Sequence, residues 1–260
     1  MVYQTILYDK KNAIATLTLN RPQAMNSMNP QLLDEMLDAL ADAHRDQAVR
    51  ALVLRGAGKA FCAGGDLKYI DEAKLFDDLG GHLKFLDHVR RVITAIESLP
   101  VPTIAVIAGH ALAGGLELVN ACDLAIATTT ATIGDQHAVY GILPGGGSTA
   151  RLPRKIGMQR ALELIYTGKK LTGAQAAEYG IVLRAVPPEQ LEAAVEELVA
   201  PLRERSRELL GAIKSLVRHS MESPIALAIE REQLAVTKFN ATTKESSAGA
   251  AAFSKGERKA

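Results

Sequence analysis

The chain has 260 residues, 48% hydrophobic and 23% charged, ordinary values for a globular protein with a sizeable core. A formal net charge of +1 excludes a bulk electrostatic drive toward nucleic acid or an anionic membrane. Two cysteines, Cys62 and Cys122, make no disulfide framework and sit at no metal-cluster spacing, which fits a reducing cytoplasm. The start Met1-Val2-Tyr3-Gln4 lacks the basic stretch and apolar run of a secretory signal. No segment reaches about 18 uninterrupted apolar residues, so no transmembrane helix is expected.

In chain order, residues 13–19 alternate apolar and polar and read as a strand ended by Arg21-Pro22. Asn29-Pro30 supplies an N-cap with proline at the first helical position, and Leu32, Leu33, Met36, Leu37 and Leu40 share one face of the helix that follows. Residues 51–54 form a buried strand closed by Arg55-Gly56. A helix over 72–98 carries Leu79, Leu83, Leu86, Val89 and Ile93 on one face. A second buried strand covers 101–108, a short helix 116–121, and another strand 124–127. Helix follows at 159–166. Thr172 caps a further helix that stops at Gly180, and the last strand is 182–186. From Pro188 the pattern is helical, broken near Ser223-Pro224. The stretch 246–260 is small, polar and basic, and is expected to be partly mobile. The division is an α/β core over 1–195 and a helical C-terminal region over 196–260.

Two glycine-containing turns follow strands: Ala60-Phe61-Cys62-Ala63-Gly64-Gly65-Asp66-Leu67-Lys68, and Gly109-His110-Ala111-Leu112-Ala113-Gly114-Gly115-Leu116-Glu117-Leu118. Glycine lets a ligand approach the backbone closely, and a helix start leaves free N–H groups pointing at it. Two such turns can place two donors on one oxygen, the geometry of an oxyanion hole. Each turn taken singly is equally well a tight strand–helix connection. Neither has the spacing of a phosphate loop or a dinucleotide fingerprint.

In order along the chain, these segments resemble the crotonase (enoyl-CoA hydratase/isomerase) superfamily. Asn20-Arg21-Pro22 with Met25-Asn26 resembles its early motif. Residues 61–67 resemble its first oxyanion loop, and Gly114-Gly115-Leu116-Glu117-Leu118 with Cys122-Asp123-Leu124 its second loop and helix. Gly141-Ile142-Leu143-Pro144-Gly145-Gly146-Gly147 with Arg151-Leu152, Thr167-Gly168 and Gly180-Ile181-Val182 continue the match. Residues 252–259 resemble its basic ending.

The resemblance implies an α/β, ClpP-like superhelix of repeated β-β-α units with a C-terminal helical trimerisation region. It implies homotrimers or dimers of trimers; Leu227, Ile229, Leu234 and Val236 are interface candidates because a short two-layer core does not obviously bury all of them. The substrate would be an acyl-CoA thioester of lipid metabolism, coenzyme A being part of the substrate, with no separate cofactor and no metal. The amides of Gly65 and Gly114 would hold the thioester carbonyl. Asp66, Leu67 and Lys68 would line the acyl-CoA site, mostly through backbone, and Lys68 and basic tail residues would meet the CoA phosphates. For any single one of these lysines, solvated surface is the leading reading.

Family hydratases use two glutamates. The first is present as Glu117. His137 stands where the second is expected, in Ile133-Gly134-Asp135-Gln136-His137-Ala138. Imidazole, with an ordinary pKa of about 6.5, suits acid or base work. Asp135 is the nearest other acidic candidate, and Tyr140 lies close by. The leading expectation is an enoyl-CoA hydratase-like lyase that makes a 3-hydroxyacyl-CoA. Decarboxylase and hydrolase chemistry stay open because of His137. The isomerase branch that keeps a glutamate there fits poorly, as does a dehalogenase, whose aspartate position is Gly145. A non-catalytic acyl-CoA-binding subunit is the alternative from another class. His82, His88 and His110 have only surface or packing readings, and Cys62 and Cys122 read as small buried groups.

Overall fold

The computed structural model describes residues 2–256. The chain opens with β1 (Ile6–Lys11) and β2 (Ile14–Leu19), an antiparallel pair. Helix α1 (Pro30–Arg45) starts as its sequence dictates: the Asn29 side chain accepts from the Leu32 amide and Pro30 opens the first turn. Its apolar face, Leu32, Leu33, Met36 and Leu40, is buried.

Three strand–strand–helix units follow. The first is β3 (Ala51–Gly56), β4 (Ala60–Cys62), α2 (Leu67–Glu72) and α3 (Leu79–Ser98). The second is β5 (Thr103–Ile107), β6 (His110–Leu112) and α4 (Gly114–Ala121). The third is β7 (Leu124–Thr128), β8 (Thr132–Gly134), α5 (Ser148–Ile156) and α6 (Met158–Thr167). After it come β9 (Leu171–Thr172), α7 (Gly173–Tyr179) and β10 (Arg184–Val186). Helices α8 (Leu191–Arg203), α9 (Arg207–Ser220), α10 (Ile225–Thr242) and α11 (Glu245–Ser254) complete the described chain.

The longer strands build a six-stranded sheet in the order β1-β2-β3-β5-β7-β10, parallel from β2 onward. The short second strands build another sheet, β4-β6-β8-β9, with β9 antiparallel. Each unit thus adds one strand to each sheet before its helix, the expected repeat of β-β-α units. Helices α1, α3 and α4 cover one face of the larger sheet. Leu191, Ala194, Val195 and Val199 of α8 cover the other, against Ile14, Val53, Ile104 and Val106. Helix α8 runs through the expected division at residue 195.

Several boundaries differ from the sequence reading. The expected helix over 72–98 starts only at Leu79, because residues 73–78 form a turn between the end of α2 at Glu72 and α3. Lys74 is left-handed (φ 50°), and α3 begins only after Asp78. Leu79 and Leu83 are consequently exposed, while Leu86 and Val89 face a cavity and Ile93 is core. The strands β4, β6, β8 and β9 have three residues or fewer, too short to show a period. The glycine turns therefore lie after the short second strands, not after β3 and β5. Residues 246–254, expected to be partly mobile, lie in α11, and the basic tail beyond Gly256 falls outside the described residues. Thr172 and Gln175 form a reciprocal capping box on α7, which ends on left-handed Gly180 (φ 85°), and α9 gives way to α10 at Ser223-Pro224. Among the described residues no helix is long and apolar enough to cross a membrane.

Candidate active site

The two glycine turns meet. A Cβ built on Gly64 would lie 3.1 Å from the Gly114 nitrogen, and one on Gly114 would lie 3.2 Å from Gly64 Cα. Only chain without side chains fits at this approach. Met28 stitches the first turn in place by accepting from Asp66 and donating to the Gly64 carbonyl. That pairing uses the outward groups of the turn and leaves the Gly65 N–H without a backbone acceptor. The Gly114 N–H is likewise free, because it belongs to the first turn of α4. Ala113, immediately before it, has φ 49° and ψ −118°, a conformation costly for a residue with a Cβ. The ψ angle of Ala113 sets the plane of the peptide that carries the Gly114 amide, so this strain orients that donor.

Gly65 and Ala113 line a cavity of about 350 Å³. Its walls are mostly apolar, with Met28, Ile70, Phe85, Leu86 and Val89 among them, and its polar side chains include buried Glu117 and Gln136 and half-buried His137.

Every residue of α4 is buried, so Glu117 enters the core as part of an all-round apolar helix. Its carboxylate is held from the far side of the chain. Oε1 accepts from the amides of Gly146 (2.9 Å) and Ser148 (3.0 Å). A Cβ on Gly146 would collide with Glu117 Oε2, so a larger residue there would push the carboxylate out of this clamp. Arg151 fixes that loop, donating to the Gly146 carbonyl at 2.9 Å and forming a two-pronged pair with Glu97 at 2.7 and 2.8 Å. Oε2 receives no protein donor among the described residues. Burial raises the Glu117 pKa, and the His137 charge and the two amides offset only part of that rise.

His137 is held by Asp135, which is wholly buried. Asp135 Oδ1 accepts from the His137 backbone N–H at 3.0 Å, an Asx turn, and lies 2.8 Å from Nδ1. Nε2 is the nitrogen left for the cavity. Burial opposes the charged imidazole, but the hydrogen bond and charge of Asp135, with Glu117 beyond, raise the His137 pKa on balance. Burial also works against ionised Asp135, and the hydrogen bonds and charge of His137, with the Ser148 hydroxyl close by, outweigh it, so the Asp135 pKa falls.

The remaining expected site residues divide. Leu67 lines the cavity, whereas Asp66 and Lys68 do not. Asp66 caps α2 and pairs with Arg21 at 2.8 Å. Lys68 is solvated and lies 3.8 Å from Glu72. His82, read from sequence as surface or packing, lines the cavity and packs against Phe76 at 5.4 Å between ring centroids. His88 instead lies 2.9 Å from Asp34, and His110 is half-buried in β6. Tyr140 is at the exposed rim. Burial pushes the Cys62 thiol up to about 12, so it is no thiolate nucleophile at neutral pH. The sequence reading missed the Glu117 clamp and the Asp135 bond. Only the second left a local signal, an Asp two residues before the His it holds.

Comparison with known proteins agrees with this architecture. Residues 9–259 match the enoyl-CoA hydratase/isomerase family. The chain is 40% identical over 245 residues to enoyl-CoA hydratase domain-containing protein 2, mitochondrial, of Mus musculus, covering 92% of this chain and 81% of that one. It is 34% identical to a crotonyl-CoA hydratase of Syntrophomonas wolfei, covering 89% of each. The crystal structure of an enoyl-CoA hydratase from Bacillus anthracis superposes with a TM-score of 0.89 at 33% identity, covering 97% of this chain and 96% of that one. Fold, ordered motifs and relatives coincide over nearly the full length: the chain belongs to the enoyl-CoA hydratase/isomerase family.

Proposed function

We propose that this protein hydrates a 2-enoyl-CoA to a 3-hydroxyacyl-CoA. The observation that carries the reading is one cavity bordered by the free amide of Gly65, the Ala113 turn that presents Gly114, the Glu117 carboxylate and the His137 imidazole. In this reading the thioester oxygen sits between the Gly65 and Gly114 amides. Glu117 Oε2 takes a proton from water as the water oxygen bonds to C3. The C2–C3 π electrons move toward C2 and the carbonyl, and the amides bear the enolate charge. His137 Nε2 then supplies the proton to C2. The proton gained by Glu117 returns to His137, through water or directly, and the site is reset. No separate cofactor enters the scheme, since coenzyme A arrives with the substrate.

The test is a panel of acyl-CoA thioesters with product masses. Gain of one water on crotonyl-CoA, with the thioester intact and its conjugated absorbance lost, is the expected result. Loss of carbon dioxide or release of free coenzyme A as the dominant event would replace hydration by decarboxylation or hydrolysis. No turnover of any thioester, with tight binding retained, would favour the non-catalytic acyl-CoA-binding alternative.

The same reading includes assembly. Leu227, Ile229, Leu234 and Val236 of α10 are exposed in the single chain, and α10 buries none of its residues. A face of this kind is what a subunit interface covers. Light scattering at micromolar concentration is expected to give a trimer or a pair of trimers, and a stable monomer would refute it.

A further inference from the structure

The Glu117 and His137 sites are joined by one buried residue. Ser148 donates its backbone N–H to Glu117 Oε1 at 3.0 Å. Its hydroxyl is wholly buried and faces Asp135, whose Oδ2 is also buried. Neither atom has another partner among the described residues, and a hydroxyl hydrogen turned toward Oδ2 satisfies both. The other oxygen of Asp135 carries both bonds to His137. An uncompensated buried carboxylate is expensive, so Asp135 persists only with these partners.

We propose that Asp135 is a positioning residue that converts His137 into a fixed proton donor, with Nδ1 tied to the carboxylate and Nε2 presented to the cavity, and that Ser148 locks this pair to Glu117. The inference rests on the hydratase reading for the destination of the proton, but the dyad itself does not. An unrestrained histidine ring interconverts between two tautomers and can rotate away. The two hydrogen bonds to Oδ1, from the backbone N–H and from Nδ1, remove both freedoms, fixing tautomer and ring plane as the aspartate does for the histidine of a serine-protease triad.

The charged groups that face His137 are few. Asp135 belongs to its own segment and Glu117 comes from α4. His82 of α3, Tyr140 and Lys170 border the same cavity. The two carboxylates hold the imidazolium, so the alkaline limb of the pH–rate profile lies above the ordinary imidazole value of about 6.5. The acid limb, where Glu117 loses its function as base by protonation, lies above the ordinary carboxylate range.

The decisive variant is Asp135→Asn, which keeps the shape and removes the charge. Its kcat is expected to fall by about 10²-fold, with KM changed little, because proton transfer and not thioester binding is affected. Its alkaline limb moves to lower pH, since burial then acts on His137 without the compensating carboxylate. A second readout needs no turnover. The chain has six histidines, and ¹⁵N spectra with His137→Gln as the assignment control follow the His137 ring directly. In the unaltered protein the ring is expected to titrate above about 6.5, and Asp135→Asn lowers that midpoint. Ser148→Ala keeps the amide that grips Glu117 and strips one donor from Asp135. The carboxylate then bears more charge toward the imidazole, and the midpoint rises.

Opposite shifts in the two variants establish the dyad. An unchanged His137 midpoint in folded Asp135→Asn, or wild-type kcat and pH profile in that variant, overturns it. If Asp135→Asn does not fold, a midpoint in Ser148→Ala that fails to rise overturns it equally. If the enzyme hydrates nothing yet the midpoints shift as stated, the hydratase reading falls and the dyad stands.

Discussion

Glu117→Gln is expected to lower kcat on the true substrate by about 10²-fold or more. Glutamine matches the shape of glutamate, and its carbonyl oxygen can still accept from the Gly146 and Ser148 amides that hold Oε1. The substitution therefore leaves the clamp in place and removes only the base. What changes is the atom facing the cavity, from a carboxylate oxygen to an amide NH₂ that cannot take a proton from water. KM should change little, because the thioester is held elsewhere. Measured turnover near that of the unaltered protein would move the acid–base chemistry to Asp135, His137 or Tyr140. A companion variant, His137→Glu, rebuilds a pair of carboxylates and reports on which chemistry the histidine serves. Raised hydration would mean that imidazole is an inferior substitute for the family's second glutamate.

Gly64→Ala is expected to cost about 10²–10³-fold in kcat, the loss associated with one oxyanion donor. Two independent effects act there. Gly64 has φ 109°, outside the range that a residue with a Cβ adopts comfortably. The added methyl would also press on Ala113 Cβ and the Gly114 nitrogen, each at 3.1 Å. These neighbours are backbone and the first carbon of a side chain already held in a strained conformation. The turns must therefore separate, and the two amides lose their common focus. Circular dichroism and thermal denaturation separate lost stability from lost catalysis. A folded Gly64→Ala protein with normal kcat would remove the oxyanion hole from the mechanism.

Much of the scaffold was legible along the chain because its signals are local. Asn29-Pro30 specifies where α1 begins, Thr172 and Gln175 specify the start of α7, and Gly180 specifies its end, each through groups within a few residues. The buried strands declare themselves as apolar runs, and the ordered motifs from Asn20 to Gly180 identify the family with no structure in hand. Glu117 is readable too, since its place in the first turn of a helix opened by Gly114-Gly115 is a matter of spacing.

The tertiary structure decided what depends on distant parts of the chain meeting. The amides that grip Glu117 come from 29 and 31 residues away, and no periodicity links them. The turn between α2 and α3 contains the left-handed backbone at Lys74, so the helix expected from residue 72 begins only at Leu79; His82 lines the cavity while Leu79 and Leu83 are exposed. Asp66 and Lys68 sit beside Gly65 in sequence, yet the cap of α2 and the pair with Arg21 engage the first while solvent takes the second. Sequence by itself fixed which residue types were available, His137 in place of a glutamate above all. Whether that histidine has a buried carboxylate against Nδ1 was settled only by packing, because the Asp135 side chain turns inward where the β8 segment, Ser148 and α4 close around it. Burial at 0% exposure removes the water that would otherwise solvate Asp135 and leaves His137 as its partner.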